Sequence, residues 1–169
     1  VIQTFKEFLI EKYGTAGTYA AMKFSHTSEL NIRKFLVQND VPNSVPQDKL
    51  HVTLLYSRKP MVGYTPRGTL TEPEKVRVLD FAVWDTQNGK KALVALLDAP
   101  KLIIRHKVLM QQYDGTYDFP DYKPHFTMSY DVGPDFNKDS LQKLTEPLYL
   151  DREYGEELNT NWKADDKTD

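Results

Sequence analysis

Two short runs of this chain, Leu50-His-Val-Thr-Leu-Leu-Tyr-Ser57 and Lys123-Pro-His-Phe-Thr-Met-Ser-Tyr130, each set a histidine and a threonine two positions apart among strand-forming residues. Strand side chains alternate between faces, so His51 and Thr53 share one face, as do His125 and Thr127. In the second run His125, Thr127 and Ser129 make a polar face, and Phe126, Met128 and Tyr130 a large apolar one. A strand of that kind needs helices against its apolar face and a wet groove over the other. The first run fits less well, because strict alternation puts Leu55 beside His51 and Thr53.

The rest of the chain supplies the partners. Ile2, Phe5, Phe8 and Leu9 fall at helical spacing ahead of Gly14, and Thr18–Ser25 suits a buried strand. Leu30, Phe35 and Leu36 suit a helix begun at Ser25, Thr27 or Ser28, and Val41–Asp48, with two prolines, reads as loop. Arg58–Glu74 carries Pro60, Gly63, Pro66, Gly68 and Pro73 and reads as a long loop, a candidate lid. Lys75–Trp84 and Lys90–Asp98 form a hairpin through Thr86-Gln-Asn-Gly89, and Lys101–Tyr113 returns to helical spacing. Tyr117–Tyr122 is an aromatic loop, Ser140–Leu144 suits a short helix, and Leu148–Leu150 suits a last strand before a polar tail. This order of elements predicts an α+β fold.

Composition removes several chemistries. With no Cys among 169 residues there is no disulfide framework, thiol nucleophile or Cys-based metal site. Lys plus Arg total 22 against 24 Asp plus Glu, a net charge of −2, which suits a small anionic ligand better than a long nucleic-acid backbone. The acid excess sits in Asp151–Asp169, with seven acids and three bases. The apolar runs fall far short of a membrane span. Val1–Glu7 lacks the order of a signal peptide, so the expected location is cytoplasmic.

The paired motifs suggest what the groove does. Imidazole both accepts and donates a proton near neutrality, so two of them supply a base and an acid. Cleaving a ribonucleotide phosphodiester through its own 2′-hydroxyl needs both, each worth about 10²–10⁴-fold. Thr53 and Thr127 would hydrogen-bond the phosphate oxygens as charge builds. No metal or other cofactor is needed for that chemistry. His26 lies where a helix is capped, and His106 shares a helical stripe with Leu102, Leu109 and Tyr113; both read as structural. Tyr19, in an apolar strand, reads more readily as core. Trp162, in Asn159-Thr-Asn-Trp-Lys-Ala-Asp-Asp166, has no apolar neighbours, and stacking on a nucleobase would use it.

The two His-x-Thr strands resemble those of the 2H phosphoesterase superfamily. That resemblance implies one domain over residues 1–169 with a flexible end, built of two pseudo-symmetric lobes whose antiparallel sheets face a central groove, helices outside. Gly17-Thr-Tyr-Ala-Ala-Met-Lys23, the two motif strands and Glu156-x₅-Trp162 are further similar to the phage anti-CBASS nucleases. Those enzymes hydrolyse cyclic di- and trinucleotide defence signals, such as cyclic GMP–AMP, in the host bacterial cytoplasm without metal. The resemblance implies His51, Thr53, His125 and Thr127 as the catalytic set, Tyr19 and Trp162 as base-stacking residues, Trp84 as a further one, and Glu156 as a base-edge acceptor. Glu153 or Glu157 would take the place of Glu156 if the register shifted. The same four motif residues suit an RNA-processing 2H enzyme acting on 2′,3′-cyclic phosphate or 2′–5′ linked ends, or a module that sequesters a nucleotide without cleaving it.

Overall fold

A computed structural model describes residues 16–159; the helix expected over residues 2–13 and Trp162 lie outside that span. The elements are β1 (Ala16–Phe24), α1 (His26–Gln38), β2 (His51–Ser57), β3 (Gly68–Asp85), β4 (Lys91–Asp98), α2 (Pro100–Gln112), β5 (His125–Ser129) and β6 (Leu148–Asn159). Single 3₁₀ turns occur at Gln47–Lys49 and Lys138–Ser140.

All strand pairs are antiparallel, in one sheet of order β2-β1-β6-β3-β4-β5. The order is internally symmetric. β1-α1-β2 builds one end and β4-α2-β5 the other, with β6 and β3 as the inner pair. β3 serves both lobes: its first part, Gly68–Val76, pairs with β6, and Arg77–Asp85 pairs with β4. The outermost strands β2 and β5 approach each other, so the sheet curls and the two histidine strands meet. The expected α+β architecture of two pseudo-symmetric lobes is therefore the one observed.

The helices form for local reasons and pack on the side away from the groove. Ser25 caps α1, its hydroxyl accepting from the Ser28 amide at 3.2 Å, and Ile32, Phe35 and Leu36 turn inward. Phe35 stacks on Phe81 of β3 at 5.5 Å. α2 starts at Pro100, where a missing N–H costs nothing, and buries Leu102, His106 and Leu109. Asp114, with φ of 55°, ends it. The following turn comes so close to β2 that a Cβ on Gly115 would sit 2.6 Å from Leu55 Cδ2. Phe24 meets Phe126 edge-on at 5.0 Å, joining the lobes through one shared core.

Three sequence expectations are corrected. Arg58–Glu74 is loop only to residue 67, and β3 begins at Gly68. Pro73 is tolerated because the β3–β6 register shifts between Thr69 and Glu74, leaving no ladder bond for it to break. Nor does the remaining loop have the freedom of a lid: Met61 is buried, Arg58 forks onto Asp118 at 2.9 and 2.6 Å, and Arg67 binds Glu153 at 2.7 Å. Second, β6 does not stop at Leu150 but runs to Asn159 between β1 and β3. Its charged residues hide a central strand because one face is wet and Glu153 on the other is neutralised by arginines. Third, the helix expected over Ser140–Leu144 is only the 3₁₀ turn Lys138–Ser140.

Candidate active site

Each motif strand carries one residue more than its neighbour, directly after the threonine. On β2, Thr53 lies opposite Ala21 and Leu55 opposite Ala20, so Leu54 is the extra residue. On β5, Thr127 lies opposite Val94 and Ser129 opposite Leu93, so Met128 is the extra residue. A bulge resets the alternation, and both departures from the expected pattern follow from it. Leu54 and Leu55 both enter the main core, and Tyr56 returns to the groove face beside Tyr19. Ser129 leaves the face of His125 and Thr127 to donate to Pro42 O at 2.6 Å, which corrects the polar triplet expected there.

The two half-sites match. His51 Nδ1 is 2.8 Å from Lys49 O, and His125 Nδ1 is 2.7 Å from Lys123 O. A carbonyl only accepts, so in both rings Nδ1 carries the hydrogen and Nε2 is the nitrogen that takes up or gives a proton. Each imidazole has an aromatic against it: Tyr19 edge-on to His51 at 6.2 Å, and Trp84 at 4.7 Å from His125. Tyr19 is only 5% exposed, stacks on Tyr56 at 4.7 Å, and its hydroxyl lies 3.2 Å from Thr53 Oγ1. Thr127 Oγ1 is buried with no hydrogen-bond partner among the described residues. Leaving a hydroxyl so costs about 1–3 kcal/mol, a cost that a bound acceptor would remove.

The β1–β6 register locates the acidic candidates. Glu156 lies opposite Tyr19 and so shares its face, whereas Glu153 and Glu157 lie opposite Met22 and Thr18 on the other face. Glu153 is buried there among Arg67, Arg105 and Tyr64. Lys23 pairs with His51 on one side and Arg152 on the other, so two cations from neighbouring strands, β1 and β6, form a row beside His51 that no sequence motif announces. Burial, with Arg152 and Lys49 nearby, lowers the Lys23 pKa against the pull of Glu29 and Asp48. Its Nζ donates to Asp48 O. Tyr122, from the aromatic loop that the sequence offers either as a further wall of the site or as packing, donates to Thr53 O at 2.7 Å. His26 is exposed beside Glu29, and His106 is packed, as expected of structural histidines.

Among the described residues no three His, Cys, Asp or Glu side chains converge as a metal site, and no helix is long and apolar enough to cross a membrane.

Known proteins resemble both the sequence and the architecture. Solved structures of LigT from Escherichia coli and TT0787 from Thermus thermophilus align at 15% and 16% identity, with TM-scores of 0.49 and 0.47. The alignments cover 80% of this chain and 81% of LigT, and 82% of this chain and 82% of TT0787. The anti-CBASS protein Acb1 of Enterobacteria phage T4 is 39% identical over 163 residues, 96% of this chain and 97% of that protein. The Acb1 of Salmonella phage S16 is 39% identical over 151 residues, 89% of this chain and 94% of that protein. The profile of the family described as anti-CBASS protein Acb1 matches residues 16–165, which takes in both motif strands and all six strands of the sheet. By that match and those relatives, the chain belongs to the Acb1 family of anti-CBASS proteins.

Proposed function

We propose that this protein is a metal-independent phosphodiesterase that opens the 3′–5′ linkages of cyclic di- and trinucleotide signals in the cytoplasm of a phage-infected bacterium. The observation that carries the reading is the matched pair of imidazoles, held in the same tautomer by equivalent carbonyls on the two strands that meet where the sheet curls. One Nε2 takes the proton of a ribose 2′-hydroxyl, and the 2′-oxygen forms its bond to phosphorus. The other ring, protonated at Nε2, gives its proton to the 5′-oxygen as the P–O5′ bond breaks. The product is a linear nucleotide ending in a 2′,3′-cyclic phosphate, which water opens by the same transfers in reverse. The hydroxyls of Thr53 and Thr127 hydrogen-bond the non-bridging oxygens, where charge develops. Tyr19 backed by Tyr56, Trp84 beside His125, and Trp162 provide base contacts, with Glu156 accepting from a base edge.

The test is mass-resolved chromatography of 3′,3′-cyclic GMP–AMP after incubation with the protein in excess EDTA. Linear product is expected; an unchanged dinucleotide, or product that EDTA abolishes, overturns the reading.

A cyclic oligonucleotide carries a phosphate besides the one being cleaved, and the Lys23–Arg152 row beside His51 suits it. A charge-assisted contact of about 1.4 kcal/mol corresponds to tenfold in affinity. Lys23→Met and Arg152→Met are each expected to raise KM about tenfold and leave kcat within about twofold, measured by steady-state kinetics at fixed salt.

A further inference from the structure

The bulges that aim the two motifs leave backbone carbonyls that a regular ladder would not use, and buried carbonyls need partners. On β5 the extra residue is Met128, and its carbonyl accepts from the Val45 amide at 2.8 Å. Val45 lies in the loop between α1 and β2, so the first lobe secures the bulge of the second. On β2 the reverse holds, with side chains. Leu54 O accepts from His106 Nδ1 at 2.7 Å, and Thr53 O accepts from the Tyr122 hydroxyl at 2.7 Å. His106 is on α2 and Tyr122 leads into β5, so both come from the second lobe. Their rings stack at 4.3 Å and 5°, with Tyr117 edge-on to both.

The protonation states fit donor roles. Burial lowers the His106 pKa and keeps the ring neutral, and burial raises Tyr122 well above the ordinary phenol value. The position of Tyr122 in the chain matters as much. The next residue, Lys123, offers the carbonyl that fixes His125. One hydroxyl therefore ties the backbone of Thr53 to the two-residue lead-in of the opposite imidazole. A one-residue slip of β2 would turn His51 and Thr53 to the other face. Two apolar side chains would fill the same space without donors, so packing alone does not explain a buried imidazole and phenol both aimed at the bulge.

We infer that Tyr122 and His106 are positioning residues that hold the β2 bulge open and set the facing of the two half-sites. The kinetic consequence rests on the phosphodiesterase reading; the structural one does not. Tyr122→Phe keeps the ring stack and removes the hydroxyl, and His106→Leu keeps volume and removes the donor. Each is expected to lower kcat about tenfold or more with KM within about threefold, because a misplaced base is felt in the transition state. His106→Asn returns an N–H at the Nδ1 position and is expected to stay within about threefold of the native kcat. Ile32→Val, a core change of about 0.5–1.5 kcal/mol, controls for lost stability and leaves kcat unchanged.

The second readout needs no turnover: NMR contacts across β1 and β2, Thr53 to Ala21 and Tyr56 to Tyr19, are expected to weaken in Tyr122→Phe and His106→Leu and persist in Ile32→Val. If the native protein cleaves no cyclic nucleotide yet these contacts respond as described, the functional reading falls and the positioning role stands. If Tyr122→Phe and His106→Leu match Ile32→Val in these contacts, and in kcat where the native protein turns over, the inference is overturned.

Discussion

Alanine at His51 or at His125 is expected to lower kcat by about 10²–10⁴-fold while ligand affinity changes only a few-fold. Each replacement removes one proton transfer and leaves the hydroxyls of Thr53 and Thr127, the aromatics and the cationic row in place. The double variant should lose far less than the product of the single losses, because a base without its acid completes only half the exchange. On the proposed reading, the native protein should show a bell-shaped pH–rate profile whose limbs belong to the coupled pair rather than to either ring. Each single variant should lose the limb its imidazole supplies. Steady-state rates on a cyclic dinucleotide, beside calorimetric binding of a phosphorothioate analogue that resists cleavage, separate the two effects. Retained turnover in either variant, or a flat profile between about pH 5 and 9, would remove His51 and His125 from the chemistry.

The residues of the candidate site are more legible in the sequence than their geometry. His51, Thr53, His125 and Thr127 stand out because period-two alternation sets them against apolar neighbours, and the structure puts their strands at the two edges that meet. Alternation also misplaced Leu55 and Ser129, since a bulge resets the period without leaving a compositional mark. The extent of β6 was hidden for another reason. A strand with one wet face and a carboxylate buried among arginines on the other reads as a polar tail. Pro73 pointed to loop because nothing local announces the register shift that accommodates it. Tyr122 lay in plain sight in the aromatic loop. Its role depends on a contact with a residue 69 positions away, which no local pattern encodes. His106 lies on a helical stripe that reads as packed, and it is buried; no local pattern announces that its partner is the bulge behind Thr53.

The largest loss of stability from a single change is expected at Glu153, which joins three elements around one buried carboxylate. Its side chain is wholly buried on β6. Arg105 of α2 reaches it with Nε at 2.8 Å and Nη2 at 3.0 Å, and Arg67 with Nε at 2.7 Å and its backbone amide at 3.0 Å. The Tyr64 hydroxyl donates at 3.0 Å, burial keeping that phenol protonated. Burial by itself raises the Glu153 pKa, but the hydrogen bonds and charge of Arg105 and Arg67 outweigh it, and the net shift is below the ordinary value of 4.5. A depressed carboxylate adds stability above its unfolded pKa and loses it as pH falls through the folded one, so this contribution is complete at neutrality and fades only below about pH 4.5. Glu153→Leu strands the guanidinium of Arg105, while Arg67 keeps Glu74 at 3.0 Å. Removing one partner of a buried pair costs about 3–5 kcal/mol, which for a chain of this size is roughly 10–15 °C in Tm. Glu153→Gln keeps the shape and loses the charge, so it should fall between Glu153→Leu and the native protein and flatten the acid limb of the stability curve. Thermal melts from pH 3 to pH 7 decide it: if Glu153→Gln melts in parallel with the native protein across that range, the carboxylate is a passive filler and the arginines draw their order from elsewhere.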